Sequence, residues 1–173
     1  LLDLIYKSLS QAPQLTKPVL IPAEELLPLE KDFITEHFLL FETIQDTSSG
    51  GAFVLDKTGR FIALINIKDH LFIQMTDCSV DLDTTWQLLL DIENELAKTI
   101  SFAFSNIFGF LTQDPMICGT ALTISSYLHL PALIHQNLLQ DILEEKEIDA
   151  CIATGIQGNP KDLIGDILLL RNS

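Results

Sequence analysis

Arginine is almost missing from this chain. Among 173 residues only Arg60 and Arg171 are arginines, and the 10 Lys and Arg together face 24 Asp and Glu, leaving a formal net charge of −14. A surface of that sign repels nucleic acid and anionic membranes, so binding to either is not expected. It is poor ground for a triphosphate too, whose oxygens call for several cationic side chains aimed at them. A basic protein fits this balance better as a partner, although carboxylates also simply keep a small domain in solution.

Other absences narrow the class further. No apolar run approaches the ~20 residues that a membrane-spanning helix needs. The segment Leu1–Leu9 contains Asp3 and Lys7 and lacks a basic start and a cleavage site, so no signal peptide is expected. A first residue of Leu leads us to expect a fragment, incomplete at both ends. Cysteine is scarce and odd in number: Cys78, Cys118 and Cys151 have no metal-site spacing, which predicts no metal and buried thiols in a reducing cytoplasm. There are no internal repeats and no low-complexity tracts.

What is present is a globular composition, 47% hydrophobic, in a length that suits one domain. Leu2, Ile5 and Leu9 give residues 1–10 the spacing of a short amphipathic helix. Residues 11–22 hold three prolines and read as a connector, followed by a helix over 23–31. Ala52–Leu55 and Phe61–Asn66 read as strands joined by the turn D-K-T-G-R, with a third strand over 71–76. Asp81 or Asp83 is placed to cap a long helix reaching about Asn106, with Trp86, Leu89, Leu90, Leu96, Ile100 and Ala103 on its apolar face. Alternation over 120–130 predicts a strand with Leu122, Ile124, Leu128 and Leu130 inward, and Pro131 then opens a helix. Residues 148–153 and 163–170 read as closing strands. Strands in runs with longer helices between them predict an α+β fold whose sheet is largely antiparallel and flanked by helices.

Two segments carry chemistry-bearing patterns. One is N-I-K-D-H-L-F-I at Asn66–Ile73; the other begins F-G-F-L-T at Phe108–Thr112, continues through Pro115 and Gly119–Thr120, and ends L-H-L-P-A-L at Leu128–Leu133. With L-E-K-D-F-I at Leu29–Ile34 and G-I-Q-G-N-P-K-D-L-I-G-D at Gly155–Asp166, they stand in the order and spacing of the active-site blocks of another group of proteins. The chain resembles the ATP:guanido phosphotransferases (phosphagen kinases), and among them the bacterial protein arginine kinases. The resemblance covers residues 19–173, which it implies to be a kinase-like catalytic domain, with residues 1–18 as an N-terminal helix and linker.

The resemblance implies a reaction, and it also marks what this chain has changed. The family transfers the γ-phosphoryl group of MgATP in line to a guanidinium nitrogen; carboxylates hold the guanidinium and arginines neutralise the phosphate oxygens. Where the family reads N-E-E-D-H-L-R, this chain has Ile67 and Lys68 in place of the glutamates and Phe72 in place of the arginine; Asp69 and His70 are retained. The family's cysteine before proline is Asp114, its arginine after G-T-G-L is Thr123, and its histidine after E-K is Asp32. In the last loop the arginine before glycine is Thr154 and the acidic residue facing substrate is Asn159. The expectation is therefore a pseudokinase: no tight MgATP binding, no turnover, and a role as a protein-binding or regulatory module. The alternative is an active protein arginine kinase with a displaced catalytic set. The family's arginine kinases work with a small zinc-binding activator protein and a proteolytic chaperone machine, so the resemblance makes a similar protein partner the first candidate, with a homodimer as another assembly to consider. Cys118, shifted three residues past Pro115, is expected to be a structural thiol, and Arg60 and Arg171 fall outside the family's phosphate positions.

Overall fold

A computed structural model of the chain describes residues 1–40, 50–67, 69–79, 81–145, 151–156, 159 and 163–172. The chain divides into two compact units, Leu1–Gln113 and Asp114–Ser173. Among the described residues no helix is long and apolar enough to cross a membrane.

In the first unit, strands β1 (Val19–Pro22), β2 (Ala52–Leu55), β3 (Phe61–Ile67) and β4 (Asp69–Met75) form a sheet in the order β1-β2-β3-β4, antiparallel throughout. The run F-I-A-L-I in β3 has no polar residue because both faces of that strand are covered. Phe61, Ala63 and Ile65 pack with Ile5 and Leu9 of helix α1 (Leu2–Gln11) and with Ile92 and Leu96 of helix α3 (Leu82–Ala97). Ile62 and Leu64 point the other way, onto Phe53 and onto Ile34 and Phe38 of helix α2 (Pro28–Phe38). The helix α1 therefore belongs to the core of this unit.

The D-K-T-G-R turn forms as the sequence predicts. The Asp56 carboxylate is buried and accepts hydrogen bonds from the Thr58 hydroxyl (2.7 Å) and the Phe61 N–H (3.3 Å). Gly59 takes φ +71°, a left-handed conformation open to glycine, and a Cβ there would meet His37 Nε2 at 3.4 Å.

Several boundaries differ from the sequence expectation. The proline-rich connector ends in an edge strand, β1, where Pro22 is tolerated at the strand end. The second helix starts at Pro28 rather than residue 23, because Pro28 suits the first turn and the Glu30 carboxylate accepts the Leu27 N–H at 2.9 Å. Asp81 is the cap of α3, accepting from the Thr84 N–H at 3.1 Å, but α3 ends at Ala97, and residues 104–105 and 109–110 form a small hairpin, β5 and β6. On α3 the buried residues are Ile92 and Leu96, whereas Trp86 is 37% exposed. Past residue 97 the apolar spacing belongs to the hairpin and not to the helix face.

In the second unit, β7 (Ser125–His129), β8 (Cys151–Gly155) and β9 (Ile167–Asn172) form an antiparallel sheet in the order β7-β9-β8. Leu168 and Leu169 of the central strand are buried. The strand expected over 120–130 is shorter, and Ile124 and Leu128 are exposed rather than inward. Pro131 opens α4 (Pro131–His135) as expected, but Asn137 takes φ 56° and splits the helix, with α5 (Leu139–Glu145) following. Residues 148–150 of the expected strand lie outside the described residues. Cys78 and Cys151 are exposed and Cys118 is partly exposed, against the expectation of burial.

Two measurements follow from this packing. Ile92→Ala should destabilise the first unit by about 2–5 kcal/mol, whereas Gln87→Ala, on the exposed side of α3, should stay within about 0.5 kcal/mol; urea unfolding followed by the fluorescence of Trp86 reads both. The Thr84 hydroxyl and N–H hold the Asp81 carboxyl below the ordinary aspartate value. A depressed folded-state value means the cap stabilises α3 above the unfolded pKa and is lost as pH falls through the folded one. A carboxyl NMR titration should place the Asp81 midpoint below that of an unstructured aspartate, and Thr84→Ala should raise it.

Candidate functional site

The first unit presents the N-I-K-D-H-L-F segment at the β3–β4 connection. By strict alternation Ile67 would lie on the face of Phe61, Ala63 and Ile65. Asn66 prevents this: its backbone is left-handed, φ 55°, a conformation asparagine tolerates better than most residues, and its side-chain amide donates to the Gly50 carbonyl at 3.3 Å. The result turns Ile67 onto the opposite face, where it is 1% exposed and packs in the cluster of Ile62, Leu64, Phe38 and Phe53. Phe72 packs partly buried against the same cluster. Lys68 lies outside the described residues.

Asp69 begins β4 and pairs opposite Ile67. Its Oδ1 accepts the Gln113 N–H at 2.7 Å, which ties the start of β4 to the segment leaving β6. A charge-assisted bond to a backbone N–H is of the stronger kind, and it spends one carboxylate oxygen on scaffold. His70 and Asp32 are both exposed, the latter on α2. Arg60 stands at the far end of the β3–β4 hairpin, about 20 Å along the strand from Ile67 at ~3.3 Å per residue. There its guanidinium pairs with Asp77 at 2.5 Å and donates to the Thr76 carbonyl at 3.3 Å. The Ser79 hydroxyl and N–H, with Arg60, hold the Asp77 carboxyl below its ordinary range.

The second unit holds the remaining positions. Asp114 is exposed, and its carbonyl accepts the Ile117 N–H at 3.1 Å ahead of a single 3₁₀ turn, Pro115–Ile117. The Cys118 thiol lies 3.8 Å from the same carbonyl, a structural contact. Thr123 is exposed and sits between two residues clamped by Asn172: the Asn172 amide donates to the Leu122 carbonyl at 3.0 Å and accepts the Ile124 N–H at 2.7 Å. Thr154 is in β8 opposite Leu169, and the Gly155 N–H donates to the Asn159 carbonyl at 2.9 Å.

Register adds one residue that sequence reasoning set aside. Arg171 pairs opposite Ser125 and Ile152, two positions along β9 from Leu169, so it shares a sheet face with Thr154. Only the strand order, with β9 between β7 and β8, brings that cation to this face, and no local pattern announces it. In α4 the His135 Nε2 lies 3.1 Å from Asp166 Oδ2, a contact that no motif in the sequence marks. Taken chemically, the described positions Ile67, Phe72, Asp114, Thr123 and Thr154 supply apolar packing, one carboxylate and two hydroxyls, and no cation among them could neutralise a transferring phosphoryl group.

Comparison with known proteins gives a consistent result. The family model described as ATP:guanido phosphotransferase, C-terminal catalytic domain, matches residues 3–173. The chain is 33% identical over 156 residues to the protein-arginine kinase of Chlamydia pneumoniae, covering 89% of this chain and 42% of that protein. It is 28% identical over 152 residues to the protein-arginine kinase of Brevibacillus brevis, covering 88% of this chain and 43% of that protein. The chain thus spans about two-fifths of the length of these relatives. Among solved structures, the substrate-free duplicated taurocyamine kinase from Schistosoma mansoni superposes with TM-score 0.78 at 23% identity, over 99% of this chain and 25% of that one. Lombricine kinase superposes with TM-score 0.74 at 18% identity, over 99% of this chain and 50% of that one. These likenesses show the fold, an α+β arrangement of antiparallel sheets flanked by helices.

The Asp69–Gln113 bond yields a direct test. Asp69→Ala should accelerate hydrogen exchange at the Gln113 amide and cost about 0.5–1.5 kcal/mol of stability; an unchanged exchange rate at that amide would show that the carboxylate holds nothing there.

Proposed function

The chain belongs to the ATP:guanido phosphotransferase family, and from that premise we propose that it is a protein-arginine-kinase-like domain without phosphoryl transfer, acting as a protein-binding or regulatory module in the cytoplasm. The observation that carries this reading is Ile67, which stands where the family resemblance asks for a carboxylate and is 1% exposed inside the core. A carboxylate there would be buried among Ile62, Leu64 and Phe53 without a partner, at a cost of several kcal/mol. The fold has accommodated an apolar side chain at a position where the reaction needs charge.

Supporting observations point the same way. Phe72 lies against the same cluster, and Asp69 gives one oxygen to Gln113. Thr123 and Thr154 offer hydroxyls where the family has arginines. One arginine contact of this type is worth roughly 10³–10⁵ in rate in other phosphoryl-transfer systems. The effects do not add simply, yet loss of three together with the glutamates leaves no workable transition-state stabilisation. The first candidate partner is a protein of the kind that the arginine kinases use, a small zinc-binding activator or a proteolytic chaperone machine, with basic chemistry to suit the charge of −14.

One observation favours a second reading, in which nucleotide is bound but nothing is transferred: Arg171 shares its sheet face with Thr154. Two experiments test these readings, the first for transfer and the second for nucleotide binding. Incubation with γ-labelled ATP and an arginine-rich protein should give no acid-labile phosphate on the substrate, and transfer that disappears in Asp69→Asn or Asp114→Asn would overturn the pseudokinase reading. A ligand that binds only the native state raises the melting temperature, by the equivalent of about 2.7 kcal/mol at a hundred times its Kd. A flat thermal-shift response to millimolar MgATP is expected; a rise abolished by Arg171→Ala would instead establish the nucleotide-binding module.

A further inference from the structure

The helix α2 is apolar on two sides. Ile34 and Phe38 enter the core, while Leu29 and Phe33, one turn apart, are 79% and 65% exposed on the outward side. At helical spacing Asp32 and Glu36 flank that pair on one side and Glu30 on the other, all three exposed, and Glu24 and Glu25 stand exposed in the turn before the helix. Scattered exposed apolar residues need no explanation, but an adjacent pair ringed by carboxylates has the composition of an interaction site.

The pair is also held in place. The His37 ring stacks on Phe33 with centroids 5.5 Å apart and planes 17° from parallel. His37 is itself fixed, with Nε2 2.8 Å from the Gly59 carbonyl and its ring edge-on to Phe38 at 4.7 Å. An aromatic anchor whose rotamer is already set loses less entropy when a partner covers it.

We infer that the outward face of α2, with Leu29 and Phe33 as anchors and Glu30, Asp32 and Glu36 as rim, docks a basic amphipathic segment of a partner protein; this rests on the protein-binding reading above. Charge selects the occupant. A second copy of this chain would bring another −14 against the same acidic rim, and an anionic membrane would be repelled likewise. A segment with apolar residues at i and i+4 and lysines or arginines beside them satisfies both the anchors and the rim.

The test uses the whole chain and two synthetic helical peptides of identical leucine spacing, one with lysines and one with glutamates at the polar positions. Fluorescence anisotropy should show binding of the lysine peptide, weakening as salt is raised, and none of the glutamate peptide. Phe33→Ser and Leu29→Ser should each weaken binding about tenfold or more, whereas Ile107→Ser, at a site 83% exposed in the β5–β6 hairpin, should leave it unchanged. Both anchors are exposed, so the variants should keep the wild-type circular dichroism. Lysine-peptide binding equal in wild type and Phe33→Ser would mean diffuse attraction to an acidic protein and would overturn the docking face, as would no binding at all. A concentration-dependent dimer abolished by Phe33→Ser would overturn it in favour of a second copy. The kinase assay decides the parent reading separately: absent peptide binding together with absent phosphoryl transfer removes only the docking face.

Discussion

The strand β3 is covered on both faces, and the geometry of the first unit depends on that burial. Five consecutive apolar residues, Phe61–Ile65, are fully buried, alternately against α1 with α3 and against α2 with β2. A strand so enclosed has no freedom of register, because a slip of one residue would exchange its two faces. Its end at Asn66 and Ile67 is therefore placed rigidly, in the segment where the family resemblance puts its guanidinium-binding carboxylates. A rigid strand end would serve a kinase well by holding reacting groups in position. In this chain the same rigidity holds an isoleucine in the core.

The retained residues can be understood without catalysis. Asp69 holds the Gln113 N–H, Pro131 opens a helix, and Gly165 takes φ 66° just before β9. Each answers a backbone requirement that persists whatever the reaction. Ile67, Phe72, Thr123 and Thr154 stand where the family resemblance implies charged residues. The frame and the charges thus answer to different constraints. On α2, Leu29 and Phe33 face outward among exposed carboxylates.

Much of this was readable from local pattern. The D-K-T-G-R hairpin, a cap at Asp81 (one of the two candidates, with Asp83) and the helix start at Pro131 depend on residues within a few positions of one another, and each formed. Misreadings came where two patterns overlap over a short run. Residues 98–106 continue an apolar spacing that helix and hairpin share, and α3 stops because β5 and β6 take up Phe104 and Phe110 in edge-to-face contact. Trp86 is 37% exposed and Ile92 is buried, since a stripe wider than one helix face cannot say which edge meets the core. The cysteines were expected to be buried on residue type alone, and type does not fix exposure.

The sequence alone determined the family resemblance, the acidic balance, the scarcity of arginine and the identity of each replaced residue, because these are properties of single positions and of their order. Tertiary structure decided where those replacements went. The left-handed backbone at Asn66 sends Ile67 to the face opposite the one alternation assigns. The order β7-β9-β8 sets Arg171 beside the strand of Thr154, and stacking by His37 fixes Phe33 outward on α2. The first two are set by contacts between residues far apart in the chain, and the third by a ring whose own anchor, the Gly59 carbonyl, lies 22 residues away; a periodicity read along one strand or helix carries no record of what packs against it.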